Sequence, residues 1–193
     1  MFIVQIKVGS GFGDTLLQGG EKHKMESPHY NRDGTIATVD YPAILRKDAA
    51  ARERLHQYHA SSRPLSPNYE YVGLMGEYLF ADTYDQPRDR TLRPQGDGGW
   101  DFFFPGFGGV DVKTARKPWN LLVEEGHLLL ERTIYVQCGY SDATDSAYFV
   151  GWAYGWDFDP PVRRFGKSLI WNHWLPAEWL HPMDCLPKAL KIA

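Results

Sequence analysis

The pattern of apolar and polar positions changes character twice along this chain. Residues 1–42 hold one short strand-like run, FIVQIKV, among glycine-rich and polar stretches, and read as an irregular N-terminal lobe. The segment PAILRKDAAARERLHQYHA, 42–60, is rich in strong helix formers and opens on proline, a good first-turn residue. RPLSPN then breaks it. From Tyr69 onward, Tyr71, Leu74, Met75, Tyr78 and Leu79 recur at the i, i+3, i+4 spacing of a second helix. Its other side carries Gly73, Gly76, Glu77 and Phe80, so it is not simply polar outward; the two glycines leave a smooth face for close approach, with Glu77 beside it.

After the arginine-bearing loop QPRDRTLRPQGDGG the pattern turns to strands: WDFFF, VDVKT, TIYVQCGY and AYFVGWAYGWDF. The segment PWNLLVEEGHLLL between them fits a helix or a hairpin equally. The tail from Lys167 is aromatic-rich and reads as a helix plus loops packing back. Helices before and after a run of strands predict an α/β or α+β architecture with a mixed sheet flanked by helices.

One stretch, GDGGWDFFFPGFGGVDVKT at 96–114, places charge where an apolar strand pair is expected. Strand side chains alternate faces, so Asp111 and Lys113 point the same way, ~7 Å apart, and Val112 points the other way. PGFGG is a turn sequence between WDFFF and VDVKT. Pairing Phe104 with Val110 sets Asp101 opposite Lys113, and any register whose paired numbers sum to an even value keeps Asp101, Asp111 and Lys113 on one face. Two carboxylates ~5 Å apart repel by about 3 kcal/mol at an effective dielectric near 20. Lys113 offsets part of that, and a divalent cation offsets more. Few hard oxygen ligands with room for water describe a magnesium site. The bland alternative is a surface charge cluster with a salt bridge.

Composition narrows the setting. A chain of 193 residues fits one domain, 1–193, and 43% hydrophobic with 23% charged residues is ordinary globular composition. No apolar run approaches the ~20 residues of a membrane helix, so no membrane partner is expected. Two widely spaced cysteines, Cys138 and Cys185, fit a reducing cytoplasm. A net charge of −3 gives no global pull toward nucleic acid, so such a partner needs local patches.

Gly73-Leu74-Met75-Gly76-Glu77 on a helix, Gly96-Asp97-Gly98-Gly99-Trp100-Asp101-Phe102, and Asp111-Val112-Lys113-Thr114 on a strand together resemble the PD-(D/E)XK nuclease superfamily. The resemblance covers residues 69–158, with 1–60 as an appendage and 167–193 as a tail without counterpart; Trp100 stands where the family often has proline. It implies a restriction-endonuclease-like fold and a Mg²⁺-dependent nuclease, with Mn²⁺ able to substitute, acting on DNA rather than RNA. By the same resemblance Asp101 and Asp111 ligate the metal and Glu77 reaches a second metal or a metal-bound water. Lys113 orients or helps deprotonate the attacking water. The alternative from another class is a catalytically silent restriction-like fold that binds nucleic acid or a protein partner. A third is a structural or regulatory protein whose acidic hairpin is merely exposed. Oligomeric state stays open, a homodimer included.

Arg88, Arg90 and Arg93 precede the acidic stretch, and Arg116 and Lys117 follow it; they are candidates for phosphate-backbone contact or simply a solvated surface. Trp171, Trp174 and Trp179 can stack on bases, with packing the plainer expectation. Asp97 before Gly-Gly suits a turn. The seven histidines show no metal-binding motif and read as surface or packing residues.

Overall fold

The structure, a computed structural model, describes residues 41–56, 66–91, 99–127, 132–158, 162, 164 and 170–190. The chain divides into two compact units, Met1–Pro42 and Ala43–Ala193. The N-terminal lobe expected over 1–42 lies almost wholly outside the described residues, as does the end of the 42–60 helix.

Within the second unit the mixed α+β architecture is present. Helix α1 spans Tyr41–His56, with Pro42 in its first turn, and α2 spans Tyr69–Thr83. A four-stranded sheet has the order β1-β2-β4-β5, formed by Phe102–Phe104, Gly108–Ala115, Thr133–Ser141 and Ser146–Tyr154. Its outer pairs are antiparallel hairpins and its central pair, β2 with β4, is parallel. The parallel pair requires a crossover. That crossover contains β3, Asn120–Glu124, so the ambiguous PWNLLVEEGHLLL segment begins as a strand. Its partner, antiparallel, is β6, Asn172–Pro176, in the tail where helix and loops were expected. The tail helix, α3, is only Leu186–Leu190. The strand escaped notice because NHWLP lacks β-branched residues and finds its partner about fifty positions upstream.

Each face of the main sheet has its own core. Val110, Val112, Ile134, Val136 and Cys138 pack with α2, and Leu45 and Ala49 of α1 join that cluster. On the opposite face Leu121, Val123 and Leu175 of the small sheet cover Tyr135 and Ala153.

Helix α2 approaches the sheet closely at Gly76 and Phe80. A methyl group at Gly76 would overlap the Thr114 hydroxyl and stand 3.2 Å from Thr114 Cβ and 3.3 Å from Cys138 Cβ. One turn on, the Phe80 ring lies 4.8 Å from that of Phe102 and 6.2 Å from that of Phe104. Most of the helix is buried, which is why its apolar residues do not form one clean stripe.

The two helix glycines therefore respond oppositely to alanine. Gly73→Ala meets nothing within 4 Å and gains helix propensity, so it should stabilise by ~0.5–1 kcal/mol. Gly76→Ala gains the same propensity but must part helix from sheet, an overpacking cost of ~1–3 kcal/mol, so it should be net destabilising. Urea midpoints of the two variants check the opposite signs.

Candidate functional site

The acidic residues are held by the β1–β2 hairpin. The register is Phe102 with Val110, Phe103 with Gly109 and Phe104 with Gly108. This is two residues off the pairing that sets Phe104 against Val110, and it does not carry through Asp101, which lies just outside β1 and donates its N–H to the Val110 carbonyl at 2.9 Å. Because Val110 and Val112 face α2, Asp111 and Lys113 point to the other side of the sheet.

Trp100 fixes the approach of Asp101. Its indole lies across Gly109, where a Cβ would collide with the ring, and its Nε1–H donates to Thr133 Oγ1 at 3.1 Å. Strand β1 starts only at Phe102, whereas β2 runs on to Ala115. Beyond the end of β1 the Asp101 carboxylate takes over, accepting the Val112 N–H at 2.6 Å. A side chain here substitutes for a ladder acceptor.

The charges around Asp101 do not cancel. Burial raises its carboxyl well above the usual carboxylate range, and Glu77 and then Asp111 push in the same direction; the Val112 N–H and Lys113 oppose them. Lys113 Nζ bridges to Asp111 Oδ2 at 2.7 Å. Burial disfavours the Lys113 ammonium, but Asp111 and Asp101 outweigh it and hold the amine above its ordinary value.

Glu77 belongs to the helix side. It is buried and receives the Arg52 guanidinium at 3.0 and 3.4 Å, with Arg88 Nη2 at 3.9 Å. Asp101 thus feels Glu77 from one side and the Asp111–Lys113 pair from the other. Among the described residues no three His, Cys, Asp or Glu side chains form a group able to hold a metal ion. Glu77, Asp111 and Asp101 each have a cation or N–H partner of their own. What remains is a pair, Asp101 and Asp111, whose mutual repulsion a hard cation would relieve. One or two carboxylates with waters completing the shell suit Mg²⁺.

The basic candidates are mostly committed to acids. Arg90 forks onto Asp48 at 2.9 and 3.1 Å, and Arg116 onto Asp142 at 2.8 and 3.0 Å. Arg88 is buried beside Glu77 rather than displayed. Lys117 lies 5.5 Å from the ring of Trp119, which is itself exposed. Arg93 and Asp97 fall outside the described residues. Of the tail tryptophans, Trp171 and Trp179 are exposed, with Arg164 over the Trp171 ring, and Trp174 is half-buried; the core tryptophan is Trp152 of β5. His181 meets Asp157 at 3.2 Å and lies against Trp152, a packing role as expected.

Sequence reasoning missed two groups. Gln137 is buried next to Lys113 in the β2–β4 register; its Nε2 donates to the Asn120 carbonyl, while Oε1 has no partner among the described residues. A lone amide inside the apolar run TIYVQCGY was the available signal. Arg52 was the other, and nothing local marks it among the charges of α1.

No family model matches this chain, and no significant match was found among curated proteins or solved structures. Among the described residues, no helix is long and apolar enough to cross a membrane.

Two stability changes follow. In EDTA, the raised carboxyl of Asp101 favours the folded state fully below about pH 4, the unfolded value, and progressively less as pH rises through its folded value. Asp101→Asn keeps an acceptor for the Val112 N–H but does not titrate. Its stability relative to wild type should climb with pH from about 4, measured as urea midpoints; a fall would mean that Lys113 dominates Asp101. Glu77→Gln leaves Arg52 and Arg88 without their anion and should cost ~3 kcal/mol by denaturant melting, as loss of one partner in a buried ion pair does.

Proposed function

We propose that this chain is a Mg²⁺-dependent phosphodiester hydrolase, a nuclease of restriction-endonuclease-like type acting on DNA. The observation that carries the reading is Asp101 at the end of β1, bonded to the Val112 N–H and near enough to Glu77 and Asp111 for both to raise its carboxyl, with the Lys113 ammonium 2.7 Å from Asp111. A bare structural hairpin has no need to hold two carboxyls where one is pushed far above its usual range.

Asp101 and Asp111 would hold the cation, whose bound form supplies a Lewis acid for the phosphoryl oxygens and a water of lowered pKa. Asp101 must shed its proton to act as a ligand, so affinity for the cation rises with pH. Lys113 stays charged at neutral pH and so cannot take a proton from water. Its role is to orient the nucleophile and to stabilise charge on the phosphoryl group. The partly exposed Lys113 side chain can reach a phosphate without leaving Asp111. Gln137, on the same face, is a second polar group beside it. Glu77, tied to Arg52, serves as a positioning residue whose field raises Asp101, in place of the second-metal role that the resemblance implies.

Plasmid and linear DNA, and RNA, incubated with Mg²⁺, Mn²⁺ or EDTA test the proposal. Wild type should cleave DNA only with metal. Lys113→Ala should lose about 10²-fold or more in rate, as removal of one charge-stabilising donor does, with Mn²⁺ binding retained. Asp111→Ala should lose both. Cleavage in EDTA would exclude the metal mechanism, and nucleic-acid binding without any cleavage would favour the silent fold.

A further inference from the structure

Between α1 and the segment that follows α2 lies a pocket of about 260 Å³ lined by Asp48, Ala51, Arg52, Leu74, Arg88 and Arg90. Three of its six lining residues are arginines. Asp48 and Glu77 pair with them, and Glu70 and Asp101 act on Arg52 from further away.

The arginines are not equally satisfied. Arg90 is forked onto Asp48, and Arg52 onto Glu77. Among the described residues Arg88 has only the long 3.9 Å approach to Glu77, although its side chain is just 12% exposed. Its buried Nε–H has no acceptor among the described residues. A guanidinium offers five N–H donors, and leaving one buried and unpaired is costly. Burial depresses the charge on Arg88, and Arg52 and Arg90 oppose it further, while Glu77 and Asp48 support it.

We propose that this pocket is an oxyanion site that takes a phosphomonoester group, with Arg88 as its principal donor and Arg52 and Arg90 as its charged walls. A planar guanidinium fork matches phosphate oxygens, and the Arg88 Nε–H is a donor that no other group of the pocket engages. Two doubly engaged ion pairs hold Arg52 and Arg90 in place before any ligand arrives, so little side-chain ordering is left for binding. The site requires neither Asp101 nor Asp111 and stands independently of the metal reading. Its ligand is the end phosphate of a nucleic-acid strand or a free mononucleotide.

Calorimetry of the full chain in EDTA tests this without any cleavage. Inorganic phosphate should bind saturably over a matched chloride control, and Arg88→Gln should weaken it at least tenfold while Arg116→Gln leaves it unchanged. If Arg88→Gln fails to fold, as circular dichroism would show, Arg88→Lys keeps the charge without the fork and should still bind several-fold more weakly. Tighter binding of an end-phosphorylated oligonucleotide than of its unphosphorylated twin assigns the pocket to strand ends. Equal binding of the two, with phosphate binding intact, assigns it to the free mononucleotide. No saturable phosphate binding by wild type, or equal binding by folded Arg88 variants, overturns the proposal.

Discussion

Asp101 sits partly buried between two other carboxylates, Glu77 from the helix side and Asp111 from the strand side, and the surrounding structure is arranged about that repulsion. Arg52 and Arg88 gather at Glu77, Lys113 at Asp111, and a backbone N–H at Asp101 itself. The compensation is local to each acid, so Asp101 remains the group whose charge is least supported.

The scaffold that maintains this tension is stiff where it must be. Trp100 lies on Gly109 and is hydrogen-bonded to Thr133, which fixes the residue immediately before Asp101. Gly76 lets α2 settle against Thr114 and Cys138, which sets how near the Glu77 carboxylate comes to the sheet edge. Two close approaches, one on each side of β2, thus determine the spacing of the charges.

Much of this was legible in the sequence because it depends on short-range periodicity. The α2 helix, the hairpin around PGFGG and the alternation that puts Asp111 and Lys113 on one face follow from spacing alone. The hairpin pairs Phe102 with Val110, two residues off the expected pairing, and the pairing changes at Asp101, whose own N–H goes to Val110 as well. What escaped depends on partners far along the chain. Arg52 meets Glu77 across 25 residues and Arg90 meets Asp48 across 42, and neither pairing leaves a local mark. The β3–β6 pairing joins the crossover to the tail in the same way.

That last pairing bears on how the protein can be divided. Leu175 of β6 belongs to the cluster with Leu121, Val123 and Tyr135, on the same sheet face as Asp111 and Lys113. A fragment ending at residue 158, although it retains every acidic residue of the hairpin, would strip β3 of the one strand partner it has among the described residues and open that layer to water. The tail is therefore structural masonry for the site, and the smallest autonomous unit extends at least through β6.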